Sequence, residues 1–257
     1  MLPLRDRLPT RTTPVVNYLL IAANVLFFLG ERVLVGSGYR ASRLVLDWGL
    51  VPARFFHAPA QELVTVFTSM FMHDPTGWMH IGGNMLFLWI FGDNVEDALG
   101  HVRYLAFYIV CGLAAAFGQM LVAPDSLVPM VGASGAISGV LAAYVTLYPR
   151  SPILLLNPFL PLWFIFGLFF ELPAWFVILE YFVVNLINGL SSLGTEGGGV
   201  AFFAHLAGFI GGLFLVRLFL IGRGPREHER WSGWRPPARR APPPYGPRPN
   251  PRGPWEW

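Results

Sequence analysis

The stretch VGASGAISGVLAAYVTLY, residues 131–148, decides how this sequence is read. A glycine-flanked polar opening, Gly132-Ala133-Ser134-Gly135, runs directly into an apolar segment without a single charged residue. Such a run is either the centre of a soluble core or a bilayer crossing, and the remainder of the chain chooses between them. Of 257 residues, 54% are hydrophobic and 13% charged, with a mean hydropathy of +0.51, far from soluble averages. All 18 basic residues are arginine. They gather in the first 11 residues, in 32–54 and in 217–252, with Arg103 and Arg150 alone between, which leaves long apolar runs.

A helix needs about 20 mostly apolar residues to cross the hydrocarbon core. The spacing predicts spans near 15–35, 79–97, 102–123, 134–149, 172–190 and 200–221, the fourth of them short. Between them fall a long loop at 36–78, a polar turn at Gly92–His101, a turn at Pro124–Pro129, the YPRSP turn at 148–152 and a glycine-rich loop at 191–199. Segment 153–170 is apolar enough to cross, but Pro158 and Pro161 interrupt any helix there. Arg5, Arg7 and Arg11 precede the first span and eight arginines follow the last, so the positive-inside rule places both ends in the cytoplasm. The number of crossings is then even, namely six, and 153–170 lies along or re-enters from the inner interface.

The expected fold class is therefore an all-α polytopic membrane protein, a six-helix bundle. Residues 1–14 form a cytoplasmic N-terminal segment, 15–222 the membrane domain, and 223–257 a Pro/Arg-rich, disordered cytoplasmic tail. The first span is read as retained, since no small-residue cleavage pattern ends it. A single cysteine, Cys111, excludes an intramolecular disulfide, and no interleaving of basic and aromatic residues points to nucleic acid. The bilayer is the expected surrounding, and oligomeric state is not legible.

With the N-terminus inside, spans two, four and six start on one side of the membrane, and each starts with polar residues. His80 and Asn84 open the second (MHIGGN, 79–84), Ser134 the fourth, and His205 the sixth (AFFAHLAGFIGG, 201–212). Polar groups in spanning helices are costly and carry a functional hypothesis by default. A serine and a histidine at one depth are the minimum for nucleophilic catalysis. No Asp or Glu falls at the depth needed to orient the imidazole, so a Ser134–His205 dyad is expected. Gly132 and Gly135 permit a tight turn and close approach of a substrate backbone, and the Ser134 amide sits at a helix N-terminus suited to an oxyanion. His80 and Asn84, four apart on one helix face, could donate to the same oxygen.

Two small-residue ridges, Ser134/Ser138/Ala142 and Ala204/Gly208/Gly212, are expected to bring spans four and six together. His57, His73, His101 and His228 are read as surface residues, Trp48, Trp78 and Tyr104 as interface anchors, and Glu180 as a paired structural group. No HExxH is present, which disfavours a metalloprotease. PPPY at 242–245 carries little weight as a partner motif.

The order HxxxN, GxSG and AHxxGxxxG, with FTSMFMH (67–73), NMLFLWIFGDNVED (84–97) and YPRSP (148–152), resembles the bacterial rhomboid proteases over roughly 60–222. That resemblance implies Ser134 as nucleophile, His205 as general base, and His80, Asn84 and the amides around Gly132 and Ser134 as oxyanion donors. It also implies cleavage of transmembrane segments of other proteins near their outer ends, small residues at the cut, no metal or cofactor, and the inner membrane of a bacterium. The alternative is a catalytically silent relative that binds membrane clients, against which the presence of both Ser134 and His205 argues. Many members carry an aromatic residue four positions after the serine to stack on the imidazole, where this chain has Ser138; an aromatic at 138 is expected to be tolerated.

Overall fold

Helices form at all six predicted positions in the computed structural model, which describes residues 2–35, 39–74, 77–157, 167–192 and 202–222. In chain order they are α1 (Val15–Val35), three short helices α2 (Tyr39–Trp48), α3 (Pro52–His57) and α4 (Pro59–Thr68), then α5 (Trp78–Leu99), α6 (His101–Val122), α7 (Ser134–Leu147), α8 (Ala174–Ser192) and α9 (Phe202–Phe219). The tail 223–257 with PPPY and His228, Pro158, Pro161 and most of the glycine-rich loop lie outside the described residues. Val15–Val33 of α1, all of α6 and all of α9 are long and apolar enough to cross a membrane, while α7 and Ala174–Asn188 of α8 are apolar but shorter.

The side chains are distributed as a bilayer demands. Leu121 (77% exposed) and Phe214 (69%) point outward, whereas Asn17, Asn24, Glu96 and Ser138 are fully enclosed. Polar groups kept away from hydrocarbon must satisfy one another inside the bundle, and apolar ones lose nothing by facing lipid. The protein is a mostly helical membrane protein.

The packing centre is α7, which contacts α5, α6, α8 and α9. Its approach to α9 is backbone to backbone. A Cβ added to Gly208 would run into the Gly135 carbonyl oxygen, and one added to Gly212 would lie 2.6 Å from Gly139 Cα. On the α9 side this is the predicted ridge. On the α7 side Gly135 and Gly139 make the backbone contact, Ala142 lies where the ridge puts it, 3.0 Å from a Cβ built on Gly212, and Ser138 turns toward Tyr181 of α8. Small residues are what let two membrane helices approach this closely, because there is little hydrophobic drive between them in lipid.

Gly92–His101 is not a turn. Helix α5 continues to Leu99, and its last acids hold the start of the chain in place. Glu96 accepts from the Val16 and Asn17 amides (2.9 and 2.6 Å), groups that a helix N-terminus leaves without partners, and Asp97 accepts from the Thr12 amide and hydroxyl. His101 Nδ1 also meets Glu96, so this histidine is half-exposed and engaged rather than free on the surface. Tyr104 is completely buried and donates to Asn17 Oδ1 (2.8 Å), so it is an internal strut and not an interface anchor.

The first residues are structured as well. Strand β1 (Leu2–Asp6) pairs antiparallel with β2 (Pro152–Leu156), which pairs antiparallel with β3 (Phe169–Pro173). The apolar segment after YPRSP is therefore a strand and not the start of a helix, as its prolines suggested. The sheet closes the end of α7 opposite Ser134: Tyr144 donates to Asp6 Oδ2 (2.7 Å), Arg7 pairs with Glu171, and burial pushes the Asp6 carboxyl up to about 6. At the other end, residues 39–68 fold into α2–α4 and are stitched to the loop before α7 through Leu50 and Met130, which exchange backbone bonds, and the Ala53 amide bonded to Ser126 O.

Gly208→Ala should lower stability by about 1–3 kcal/mol through overpacking against the Gly135 carbonyl. Thermal denaturation of the purified protein in detergent checks this, and an unchanged midpoint would mean that the α7–α9 seam is looser than described.

Candidate active site

Ser134 is the first residue of α7. The chain enters from Gly132, whose φ of +122° few side chains can adopt and whose amide is tied to Ser69 O at 2.8 Å. This turn leaves the Ser134 hydroxyl at the helix N-terminus and its backbone N–H without a helical acceptor. From α9, His205 Nε2 reaches the Ser134 Oγ at 2.7 Å. The predicted pair thus meets, and the glycine seam one turn below is the reason it can.

His80 faces the same place from α5. A Cβ built on Gly132 would fall 2.9 Å from His80 Nε2 and 3.5 Å from Ser134 Oγ, so the open space in front of Gly132 is bounded by both side chains. The Asp74 amide lies 3.5 Å from His80 Nδ1, an arrangement that leaves Nε2 carrying the proton toward that space. Asn84 is one turn deeper and buried, and its Nδ2 lies 2.9 Å from His73 Nε2. His73 is therefore no surface residue. It is fully enclosed, its Nδ1 donates to Phe71 O (3.2 Å), and burial, reinforced by neighbouring His80, pushes its pKa down to about 4. Held neutral in that tautomer, it accepts one amide hydrogen of Asn84 and fixes where the second points.

The imidazole has a second hydrogen-bond partner. Asn185 Oδ1 lies 2.5 Å from His205 Nδ1, and Asn185 Nδ2 donates to the Tyr181 carbonyl (2.8 Å). No carboxylate is expected at this depth, and the group beside the far nitrogen of His205 is a neutral amide on α8. A neutral amide carries no charge to mark it in an apolar sequence. An asparagine in the apolar run FVVNLI was signal enough, since α8 runs toward the site end and brings residue 185 to the depth of Ser134.

The aromatic neighbour also comes from α8. The Tyr181 ring lies 6.3 Å from the His205 ring, tilted by 36°, and its hydroxyl is 2.9 Å from Ser138 Oγ. Ser138 in turn donates to the Ser134 carbonyl (2.8 Å) and is fully buried. The space that an aromatic at 138 would need is filled by Tyr181. Phe202 closes the imidazole from the edge at 6.4 Å. Beside Ser134 is a cavity of about 40 Å³ walled by Met70, Gly112, Ala115, Gly135 and Ala204. Glu180 is half-buried on the same helix.

A serine hydroxyl bonded to a neutral imidazole, whose far nitrogen donates to a fixed acceptor, can pass its proton to that imidazole as the oxygen attacks an electrophile. The donors around Gly132 and His80 face the place where the resulting negative charge would sit.

The filled space makes Ser138→Phe unfavourable, contrary to what the motif alone suggests. We expect a stability loss of about 1–3 kcal/mol in thermal denaturation and recovery when Tyr181→Ala is added to vacate the ring's volume. A single variant as stable as the parent would show that Tyr181 does not occupy that space.

The profile of the Rhomboid domain matches residues 60–222. The chain is 28% identical over 206 residues to the mouse presenilin-associated rhomboid-like protein, mitochondrial, covering 75% of this chain and 49% of that one. It is 32% identical over 96 residues to the yeast Saccharomyces cerevisiae Rhomboid protein 1, mitochondrial, covering 36% of this chain and 27% of the relative. With the Arabidopsis thaliana Rhomboid-like protein 11, chloroplastic, the figures are 38% over 78 residues, 30% and 27%. The chain thus spans about half the length of the mammalian relative and less of the other two. The matched region runs from α4 to the end of α9 and contains His80, Asn84, Gly132, Ser134, Asn185 and His205. This chain belongs to the rhomboid family.

Proposed function

We propose that the protein is an intramembrane serine endopeptidase that cuts transmembrane segments of other membrane proteins. The observation that carries this reading is the 2.7 Å hydrogen bond from the Ser134 hydroxyl to His205 Nε2 inside a bundle with an apolar exterior. Membership of the rhomboid family is consistent with it.

In the proposed reaction Ser134 Oγ attacks the scissile carbonyl carbon while its proton moves to His205 Nε2. The tetrahedral oxyanion is received in front of Gly132 by the Ser134 amide, the His80 Nε2 hydrogen and the second amide hydrogen of Asn84. Collapse breaks the C–N bond, and His205 returns the proton to the leaving amine. Water then attacks the acyl carbonyl as its proton moves to His205, the acyl C–O bond breaks, and His205 returns that proton to Ser134 Oγ as the acid product leaves. The small cavity beside Ser134 supports a preference for a small residue at the cut.

For topology we propose six crossings by α1 and α5–α9. The third and sixth of these, α6 and α9, run in opposite directions, as an odd and an even crossing must: Ala204 at the start of α9 bonds Gln119 near the end of α6, and Arg103 at the start of α6 bonds the carbonyls of Phe219 and Ile221 at the end of α9. Residues 15–222 form the membrane unit, with 1–14 and the arginine-rich tail 223–257 on the cytoplasmic side by charge. Ser134 and His205 then lie toward the outer face. The inner membrane of a bacterium is proposed from motif resemblance alone; the relatives named above are organellar by their names.

With a model transmembrane substrate in liposomes, Ser134→Ala and His205→Ala should each abolish cleavage while remaining folded, since the pair acts as a unit. His80→Ala and Asn84→Ala should each lose about 10²–10³ in rate, because the other donors remain. Turnover by purified Ser134→Ala protein would end the serine mechanism. After Cys111→Ala, a cysteine at exposed Asp125 should react with an impermeant thiol reagent from outside and one at exposed Arg150 only from inside. Labelling of both from one side would break the six-crossing topology.

A further inference from the structure

Five hydrogen bonds close a ring through three helices around the candidate pair. Ser134 Oγ donates to His205 Nε2, and His205 Nδ1 to Asn185 Oδ1. Asn185 Nδ2 donates to the Tyr181 carbonyl, Tyr181 OH to Ser138 Oγ, and Ser138 Oγ to the Ser134 carbonyl. The directions are set by elimination. An asparagine whose amide nitrogen is committed to a carbonyl can offer only its oxygen to the imidazole, so Nδ1 must carry the proton and Nε2 must carry the lone pair. Ser138 gives its one hydrogen to the Ser134 carbonyl, so the Tyr181 hydroxyl must be the donor to Ser138. No member of the ring has a choice of orientation while the others stay in place.

Tyr181 and Asn185 are four apart and share one face of α8. One residue holds the nitrogen of His205 remote from Ser134. The other lays its ring beside the imidazole and reaches, through Ser138, the backbone of the nucleophile. We propose that this face of α8 is a built positioning device for the reaction, with Asn185 the residue that fixes the tautomer of His205 and Tyr181 the residue that fixes its ring plane. Neither touches the scissile bond, so both are positioning residues. The proposal rests on the reading of Ser134 and His205 as nucleophile and base.

The device answers a physical need. An imidazole in an apolar bundle has little water to satisfy its far nitrogen, and a free ring divides between two tautomers, only one of which can take the serine proton. Holding the wrong tautomer costs an otherwise intact serine protease site about 10⁴ in rate. A neutral acceptor sets the tautomer without burying a second charge, which a carboxylate in the same place would do. Placing the aromatic on α8 instead of at 138 leaves room on α7 for a small hydroxyl, and that hydroxyl ties α8 to the residue that must not move.

The test uses the full-length protein in liposomes with a fluorophosphonate probe, whose phosphorus is attacked by the serine oxygen as fluoride leaves and the imidazole takes the proton. Asn185→Leu, matched in size and harmless to a membrane helix, should slow labelling by about 10² or more, the usual contribution of a positioned base. Asn185→Asp, which keeps the acceptor, should restore most of the rate, and Tyr181→Phe, which keeps the ring, should lose far less than Tyr181→Ala. Imidazole nitrogen NMR shifts of His205 should report a single Nδ1-protonated tautomer in the parent and a mixture in Asn185→Leu. An unchanged labelling rate together with an unchanged His205 spectrum in Asn185→Leu would overturn the proposal. Failure of the parent to label, or equal labelling of Ser134→Ala, would instead sink the nucleophile reading, and the NMR arm would still decide whether Asn185 holds His205, because it needs no turnover.

Discussion

The backbone contact between α7 and α9 is the constraint on which the rest of the structure depends. Where Gly208 meets the Gly135 carbonyl and Gly212 meets Gly139, no side chain separates the two helices. One turn above that seam, Ser134 and His205 therefore start close enough for a single hydrogen bond to join them. Helix α6 fits the same seam from behind, with Ala115 and Cys111 against the glycines of α7. Dispersion between closely packed backbones, not hydrophobic drive, is what holds such a contact in lipid.

The second constraint is that nothing polar inside the bundle can fall back on water. It explains why Glu96 reaches across to the first amides of α1, why Tyr104 is joined to Asn17, and why His73 is paired with Asn84. It also shapes the candidate site. The imidazole of His205 is satisfied at both nitrogens, between aromatic neighbours, and the serine is tied through its own carbonyl to Ser138. A site assembled this way is rigid before any substrate arrives, which is what general-base chemistry and an oxyanion pocket require.

Much of this was legible from residues alone, and the parts that were not share a cause. The helices at 15–35, 102–123 and 134–149 follow from apolar length, and the meeting of Ser134 with His205 from their similar depth on helices running the same way. On α7 the ridge is right at Ala142, but Gly135 and Gly139 meet the α9 backbone beside it, because Ser138 and Gly139 are both small and spacing alone does not say which faces a neighbour. GDNVED looked like a turn because a run of acids in an apolar chain resembles a loop; only the location of the α1 amides shows what those acids accept. By residue type His73 reads as a surface residue and Tyr104 as an interface anchor, although the partners that bury them, Asn84 and Asn17, stand elsewhere in the sequence. Asn185 and Tyr181 carry no such mark in the sequence, because an imidazole's partner is signalled there by charge and its aromatic shelf by position 138, while here a neutral amide and a tyrosine on α8 stand in both places.

The central claim is that Ser134 is the atom donor of a covalent step. It is tested most directly by finding, in protein that cleaves a transmembrane substrate, which residue becomes bonded to a serine-directed phosphonate, using peptide mass mapping of the trapped adduct. The account predicts a single adduct on the peptide containing Ser134, lost together with cleavage in His205→Ala. An adduct on any other residue, or continued cleavage by protein fully modified at Ser134, would contradict it.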